Sequence, residues 1–367
     1  MSAEKPLQEL SELGQSVWID SLSRASIRGG HLQSLIDDFS VVGATSNPTI
    51  FQTAMSEGEA YDEQLRELAD RDAAGAFWAL AVRDIKDACD VFRGVFDATG
   101  GRDGYVSLEV DPTLAYETLA TYREAIDLHE TVDRPNLLVK IPATKPWLSA
   151  IEDVIAKGRS INVTLIFSLQ RYAEVAESYI RGIERLIAAG GDPSRVASVA
   201  SFFVSRIDTE ADRRLDEVGG HEELKGKLAI ANARLAYEHY KSAFAGPRWE
   251  YLEGKGATPQ RVLWASTSTK NPDYRDTLYV DELIGPQTVN TMPEQTVKAY
   301  QDHGDPRSRL EDDVEQAHAL LDELAAVGVS YDEVTDTLER EGVAKFSASF
   351  EDLLNGLREK QASLKSA

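Results

Sequence analysis

The sequence predicts an α/β protein, a closed (β/α)8 TIM barrel with additional helices, especially in its C-terminal part. Two observations favour this architecture. Short apolar runs alternate with helical patterns along most of the 367 residues, and such alternation is typical of a parallel sheet. About eight such units occur in one chain, which favours a closed barrel over an open doubly wound sheet.

Each predicted strand is a short and mostly apolar run, the pattern of a strand that is buried on both faces. The predicted strands are Val17–Asp20, Val41–Thr45, Tyr105–Val110, Leu137–Ile141, Ile161–Leu165, Val199–Phe203, Val262–Ala265 and Thr288–Asn290. Lys140 interrupts the fourth of these runs. An ammonium group is costly in an apolar interior unless it is paired, neutral or at a cavity, so this position needs an explanation.

Helical patterns separate the strands. The clearest follows the fifth strand, where Ser168 is a candidate N-cap, apolar residues recur at three-to-four spacing, and Gly190 and Gly191 end the pattern. After the third strand, Asp111 is a candidate N-cap and Pro112 stands at the first helical position. The sequence therefore predicts a helix at each of these two places.

We expect residues 1–367 to form a single barrel domain, because no linker rich in Gly, Ser or Pro divides them. A helical insertion is predicted near residues 221–256, with a helix over Glu222–Phe244 followed by a loop before the seventh strand. A helical C-terminal extension is predicted near residues 294–362. Its helices are expected at Glu294–Gln301, Leu310–Ala326, Ser330–Glu341 and Val343–Ala362.

Composition and charge exclude several classes of protein. The net charge is −23, from 62 acidic and 39 basic residues, so no nucleic-acid partner is expected, because phosphate backbones require a basic surface. There is no run of about 18 apolar residues, so no membrane partner is expected. The single cysteine, Cys89, permits no intramolecular disulfide and fits a cytoplasmic location. Because the histidines lack metal-ligand spacing and no dinucleotide or phosphate-loop motif occurs, no metal and no cofactor are expected.

Polar side chains lie at or near the carboxyl ends of seven predicted strands, and these ends meet around one mouth of a barrel. They are Asp20, Thr45, Ser46, Asn47, Glu109, Lys140, Asn162, Thr164, Ser201, Arg206, Ser266, Ser268 and Lys270. Each of them alone has a structural explanation, such as a helix cap, a turn, an ion pair or a surface cation. Their convergence on one mouth favours a functional site.

Desolvation favours the neutral amine of a lysine in such a mouth, and a neutral amine can attack a carbonyl group to form a Schiff base. Asp20 and Glu109 are candidate acid–base groups, and Thr164 is a candidate to position a water molecule. Asn47 and Asn162 can donate hydrogen bonds to substrate hydroxyls. The structural alternative is that Glu109 only neutralises the lysine in an ion pair.

Five motifs, in this order along the chain, resemble those of the transaldolase family. They are "GATSNPTIF" (Gly43–Phe51), "SLEVDP" (Ser107–Pro112), "NLLVKIPAT" (Asn136–Thr144), "INVTLIFS" (Ile161–Ser168) and "ASFFVSRID" (Ala200–Asp208). The length and the helical tail resemble the larger bacterial form of the family. The resemblance implies a metal-free aldol mechanism on a (β/α)8 barrel, with sugar phosphates as substrates.

The resemblance also implies a role for individual residues. Lys140 forms the Schiff base, Asp20 takes the proton of the C4 hydroxyl, and Glu109 and Thr164 hold the catalytic water. The implied substrate contacts are Asn47, Asn162, Ser201, Phe203, the phosphate-binding Arg206 and, where many members carry an arginine, Lys270. Arg24 is a further candidate contact or salt-bridge partner.

The implied reaction is reversible transfer of a dihydroxyacetone unit in the non-oxidative pentose phosphate pathway. The donors are sedoheptulose 7-phosphate or fructose 6-phosphate, and the acceptors are glyceraldehyde 3-phosphate or erythrose 4-phosphate. Two alternatives remain at this point: a fructose 6-phosphate aldolase-like activity on the same barrel, and a catalytically inactive binding barrel. The sequence is compatible with a monomer or a homodimer.

Overall fold

The computed structural model describes residues 6–56, 58–114 and 117–366. Within them eight parallel strands pair in chain order, and the first closes the barrel on the last. The strands are β1 (Gln15–Ile19), β2 (Val41–Ala44), β3 (Val106–Glu109), β4 (Leu137–Pro142), β5 (Ile161–Ile166), β6 (Ser198–Phe203), β7 (Arg261–Ala265) and β8 (Thr288–Met292). The predicted closed barrel is confirmed, and every predicted strand overlaps an observed one.

Helices surround the barrel and cover the outer faces of its strands. Those before β5 are α1 (Pro6–Glu12), α2 (Arg24–Arg28), α3 (His31–Phe39), α4 (Pro48–Ser56), α5 (Asp62–Glu67), α6 (Ala73–Ala98), α7 (Thr118–Val132) and α8 (Leu148–Ala156). Those after β5 are α9 (Leu169–Ala188), α10 (Ser205–Val218), α11 (Leu228–Ala243), α12 (Gly246–Glu253), α13 (Leu278–Glu282), α14 (Glu294–His303), α15 (Val314–Ala326) and α16 (Tyr331–Ser366). In the part of the chain that is described, no helix is both long enough and apolar enough to cross a bilayer.

The N-cap predicted at Ser168 is confirmed, because its hydroxyl accepts a hydrogen bond of 3.1 Å from the backbone N–H of Arg171 at the start of α9. The helix predicted from Asp111 is wrong at its start. The Asp111 carboxylate accepts from the backbone N–H of Thr113, which closes a short turn. A 3-10 turn over Pro112–Leu114 follows, and α7 begins only at Thr118. Two positions of that predicted helix, Ala115 and Tyr116, lie outside the described residues.

Two further predictions need correction. The loop predicted after Phe244 contains helix α12, with a proline in its first turn. The helices predicted at Ser330–Glu341 and Val343–Ala362 are one continuous helix, α16. Gly342, which separates the two predictions, lies where α16 approaches the end of β5: a Cβ atom there would stand 3.0 Å from Cδ2 of Leu165. Its lack of a side chain therefore serves packing and does not end the helix.

Helix α16 extends across the carboxyl end of the barrel. It has 36 residues and is therefore about 54 Å long. Near its start, Glu333 pairs with Arg214 of α10, which follows β6. Towards its end, Lys360 pairs with Asp62 of α5, which follows β2. Because β2 and β6 are opposite each other in the barrel order, the helix spans the mouth along a diameter.

Candidate active site

The barrel register brings the predicted catalytic residues together at the carboxyl ends of their strands. Glu109 of β3 is paired with Lys140 of β4, and Lys140 is paired with Asn162 of β5. Thr164 lies two residues beyond Asn162, on the same face of β5. Asp20 directly follows β1, and its backbone N–H donates to the Met292 carbonyl of β8 at 2.8 Å.

The Lys140 ammonium is buried and has few partners. Its Nζ donates to the backbone carbonyl of Ser46 at 3.1 Å and lies 3.5 Å from Oε2 of Glu109. Only 6% of the Lys140 side chain and 2% of the Glu109 side chain are exposed. On the solvent side, the ring centroid of Phe346 in α16 lies 5.9 Å from Nζ. This lysine is inside the barrel mouth, as predicted, and does not reach bulk solvent.

The Glu109 carboxylate is poorly satisfied. Among the described residues neither of its oxygens has a hydrogen-bond partner, since the 3.5 Å separation from Lys140 is too long for a strong hydrogen bond. Burial raises the pKa of Glu109 to about 7, although the positive charge of Lys140 opposes the shift. A carboxyl group with this pKa exchanges protons readily near neutral pH.

Asp20, which follows β1, has its own support. Its Oδ1 accepts from the Thr45 hydroxyl at 2.8 Å, and the Thr45 hydroxyl also contacts that of Thr291 at 2.8 Å. Burial raises the pKa of Asp20, whereas the charge of Lys140, the Thr45 hydrogen bond and more distant cations oppose the shift. Two carboxyl groups with raised pKa values therefore flank one lysine.

Thr164 is held by an irregular end of β5. The pairing of β5 with β6 shifts between Val163 and Ile166, and Leu165 has a φ of 58°, a conformation that is unfavourable for a side chain of its size. The Thr164 hydroxyl is buried and has no hydrogen-bond partner among the described residues. Like the Glu109 oxygens, it is an unsatisfied polar group of the kind that an ordered water molecule satisfies.

Asn162 and Ser201 form the floor of the site. The Ser201 hydroxyl donates to Oδ1 of Asn162 at 2.7 Å, and Nδ2 of Asn162 donates to the Ser107 hydroxyl at 3.1 Å. Asn162 and Ser201, which are predicted substrate contacts, are thus hydrogen-bonded to other side chains of the barrel. One amide hydrogen of Asn162 is not used in these contacts and can donate to a ligand.

Asn47 caps helix α4, because its Oδ1 accepts from the backbone N–H of Ile50 at 2.9 Å. The side-chain oxygen of Asn47 therefore has a structural role, as a helix cap. The cap leaves the amide hydrogens for another partner. Asn47 directly follows Ser46, whose backbone carbonyl accepts from Nζ of Lys140, so its backbone lies near the lysine.

Arg206 and Lys270 lie on the side of the mouth near Asp20. The guanidinium carbon of Arg206, in the first turn of α10, is 5.2 Å from the ring centroid of Phe203. Burial lowers the pKa of Arg206, against the charge of Asp20. Partial burial and the charge of Arg206 lower the pKa of Lys270, whose ammonium donates to the Ser268 hydroxyl at 2.8 Å. The charge of Arg206 thus reaches Lys270.

Two further residues named in the sequence analysis, Arg24 and Cys89, have structural roles. Arg24 is buried in an ion pair with Asp84 at 2.7 Å, with its guanidinium carbon 4.4 Å from the ring centroid of Tyr61; it is a salt-bridge partner. Cys89 is buried within α6, and burial raises the pKa of its thiol, as expected for a core residue.

The sequence interpretation missed the carbonyl of Ser46, the hydroxyl network of Asp20, and the contact of Phe346 in α16 with Lys140. Thr291 lies one residue beyond the predicted strand Thr288–Asn290. Phe346 lies in a helix whose position over the mouth depends on tertiary packing, which leaves no local sequence signal. Within the described ranges, no group of three or more His, Cys, Asp or Glu side chains is arranged to hold a metal ion.

Comparison with known proteins shows the family of the chain. Residues 17–357 match the family described as Transaldolase/Fructose-6-phosphate aldolase. Relatives named transaldolase include proteins of Saccharopolyspora erythraea (53% identical, covering 98% of each chain), Acidothermus cellulolyticus (56%, 95% of each) and Mycobacterium bovis (51%, 98% of each). These matches confirm the resemblance and the enzyme class that the motifs predicted. The chain therefore belongs to the transaldolase/fructose-6-phosphate aldolase family.

Proposed function

We propose that this chain reversibly transfers a dihydroxyacetone unit from sedoheptulose 7-phosphate or fructose 6-phosphate to glyceraldehyde 3-phosphate or erythrose 4-phosphate. The observation that carries this proposal is the convergence of one buried lysine with two carboxyl groups of raised pKa. Lys140, Glu109 and Asp20 come from three strands and lie within one water-poor mouth. Such an arrangement suits amine attack on a carbonyl followed by proton transfers.

In the proposed mechanism the neutral amine of Lys140 attacks C2 of the ketose phosphate, and the carbinolamine then loses water to give an iminium ion. Glu109 receives the lysine proton and returns it to the departing hydroxyl, through a water held by Glu109 and Thr164. Their unsatisfied buried oxygens support this water position.

Asp20 then removes the proton from the C4 hydroxyl. The C3–C4 bond breaks, its electrons enter the iminium system, and the aldose phosphate leaves. The three-carbon unit remains on Lys140 as a resonance-stabilised carbanion, which attacks the aldehyde carbon of the acceptor while Asp20 returns its proton to the new alkoxide. The raised pKa of Asp20 supports both directions of this transfer.

The substrate contacts are also part of the proposal. Asn47, Asn162 and Ser201 line the side and floor on which the sugar hydroxyls lie, and Phe203 packs beneath Arg206. Arg206 and Lys270 bind the phosphate group. Arginine offers a bidentate fork for this purpose, whereas lysine acts as a point charge.

We also propose that residues 1–367 act as one barrel domain, and that the protein acts in the cytoplasm. Contacts of α16 with helices on opposite sides of the barrel support the single domain. The lone, buried cysteine fits a reducing compartment.

The direct test is reduction with borohydride in the presence of fructose 6-phosphate, followed by peptide mass analysis. We expect a covalent adduct on Lys140, and its absence would remove the Schiff-base mechanism. Release of free dihydroxyacetone without an acceptor distinguishes the aldolase alternative, since a transferase retains the three-carbon unit until an aldehyde arrives.

A further inference from the structure

The middle of α16 is held at the carboxyl ends of the two strands that flank β4. Gly342 packs against Leu165 at the end of β5. The Ser347 hydroxyl donates to the Pro112 carbonyl after β3 at 3.3 Å. Because β4 lies between β3 and β5 in the barrel order, this segment of α16 passes over the strand that carries Lys140.

Phe346 brings an aromatic ring from this segment close to Lys140. Its ring centroid lies 5.9 Å from Nζ of Lys140, and the ring is buried. Phe346 shares the buried face of α16 with Phe350, Leu353 and Leu357, at the spacing of an amphipathic helix. The helix thus contributes an apolar cover above the lysine.

This cover differs in chemistry from the other groups around the Lys140 ammonium. The barrel supplies the Ser46 carbonyl at 3.1 Å and the Glu109 carboxylate at 3.5 Å from Nζ. Phe346 has neither an ionisable group nor a hydroxyl with which to hold a water molecule or deliver a proton. Its ring therefore excludes solvent water from the side of the lysine on which it lies.

Exclusion of water matters for the intermediate of the proposed reaction. Once the aldose phosphate has left, Lys140 carries a carbanion whose electron pair lies on the former C3 of the ketose. If water protonates this carbon, an iminium ion of dihydroxyacetone and a hydroxide ion result. Addition of hydroxide to C2 and expulsion of the Lys140 amine then release dihydroxyacetone, so that fructose 6-phosphate is cleaved to dihydroxyacetone and glyceraldehyde 3-phosphate. A transferase must suppress this protonation until the acceptor arrives.

We propose that Phe346 retains the three-carbon unit on Lys140 by keeping additional water from the carbanion, so that α16 favours transfer over release of dihydroxyacetone. This inference rests on the proposed function, which supplies the carbanion. Phe346 acts as a positioning residue for solvent and takes no part in proton transfer. The family includes both transaldolases and fructose-6-phosphate aldolases, and the proposal assigns part of that choice to a residue outside the strands.

The test compares Phe346→Ala with Leu357→Ala. Leu357 is buried on the same face of α16, about 16 Å further along the helix axis. Its replacement removes apolar packing from the same helix and leaves the cover above Lys140 in place. With fructose 6-phosphate we measure release of free dihydroxyacetone without an acceptor, transfer to erythrose 4-phosphate, and borohydride trapping on Lys140.

For Phe346→Ala we expect the ratio of dihydroxyacetone release to transfer to rise about tenfold, because water then reaches the carbanion. Phe346→Leu keeps most of the apolar cover and should raise the ratio about threefold. This milder variant decides the test if the alanine variant does not fold. Leu357→Ala should lower the stability of the protein but keep the ratio within about twofold of wild type.

The outcomes separate the two proposals. If borohydride and fructose 6-phosphate give no adduct on Lys140 of the wild type, the proposed function fails, and with it the role of Phe346. If the adduct forms but both Phe346 variants keep the wild-type ratio, only the role of Phe346 is overturned. Equal rises in Phe346→Ala and Leu357→Ala would also overturn that role, because they indicate a displaced helix.

Discussion

The barrel encloses two buried ion pairs, one at each end, and they differ in how well they are satisfied. At the amino end Arg261 of β7 pairs with Asp103 at 2.8 Å. At the carboxyl end Lys140 and Glu109 stand 3.5 Å apart. The side chains of both pairs are less than a tenth exposed, so burial alone does not distinguish them.

At the amino end every charged group has further partners. Asp103 accepts from the Ser16 hydroxyl at 2.8 Å and from the Trp18 indole N–H at 3.3 Å. Arg261 donates to the Ser16 hydroxyl at 2.8 Å and to the Arg102 carbonyl at 2.7 Å. A buried pair with satisfied hydrogen bonds holds its elements in place, and neither group is free to react.

At the carboxyl end the same kind of pair lacks this support. Lys140 has one backbone acceptor, and Glu109 has no hydrogen-bond partner among the described residues. Burial raises the pKa of Glu109 to about 7. One pair is thus fully hydrogen-bonded and the other is not, as expected if the first holds the structure and the second is the proposed reactive pair, and each of the following changes tests that division.

The largest effect is expected for Lys140→Met. Activity should fall by at least about 10⁴-fold, because the proposed covalent nucleophile is lost, and borohydride should give no adduct. Stability should change by less than about 2 kcal/mol, since Glu109 can take up a proton and become neutral. Activity assays and urea unfolding measure both. If Lys140→Met lost as much stability as Asp103→Ala, the proposed difference between the two ion pairs would be contradicted.

Asp103→Ala should have the opposite profile. It leaves Arg261 buried without its carboxylate, which should lower the free energy of unfolding by about 3–5 kcal/mol. Activity per folded molecule should stay within about twofold, because the change lies at the far end of the barrel. The control is Asp97→Ala, which breaks an exposed ion pair with Arg93 and should cost under about 0.5 kcal/mol.

Glu109→Gln tests the raised pKa directly. Between its ordinary value of 4.5 and about 7, the folded protein binds a proton that the unfolded chain has lost, so Glu109 makes stability fall as pH rises through this window. The variant should remove that part of the slope, on the order of 1–3 kcal/mol, and its kcat should fall about 100-fold.

Urea unfolding of both proteins at several pH values measures this difference. Because Glu124 and Asp208 also have pKa values raised to about 7 by burial, only the difference between wild type and variant reports on Glu109. If the free energies of unfolding of wild type and Glu109→Gln changed in parallel across this pH range, Glu109 would be an ordinary structural carboxylate.

The sequence predicted the barrel well because each strand is buried on both faces, which produces a local apolar run with a definite length. It also predicted the lysine site, since Lys140 violates that pattern within its own strand. Asp20 is marked by the change from apolar to polar residues at the end of its strand, whereas Thr164 is a polar residue within an apolar run, as Lys140 is.

What the sequence did not predict depends on contacts distant along the chain. Gly342 was interpreted as a helix boundary, since glycine has a low helix propensity, but its approach to Leu165 depends on the packing of α16 across the mouth. Asn47 could not be assigned to a cap or a ligand from its sequence neighbours alone. The pairing of Asp103 with Arg261 joins residues 158 positions apart, and no local pattern marks it.

The smallest effect is expected for Thr45→Val, which removes the hydrogen bond that supports Asp20. That bond lowers the pKa of Asp20, so its loss should raise the pKa further. Because Asp20 is proposed to act as a base when deprotonated, the acid limb of kcat/KM should move to higher pH, with an activity loss of about threefold to tenfold that is greatest at low pH.

The matched control is Thr53→Val, which loses only a hydroxyl contact with the Thr49 carbonyl in the exposed part of α4. Its pH profile should coincide with that of wild type. A uniform loss at all pH values in Thr45→Val would mean that the hydroxyl orients Asp20 without tuning its protonation. Asp20 would then resemble the well-supported pair of Arg261 and Asp103 at the amino end more than it resembles Glu109.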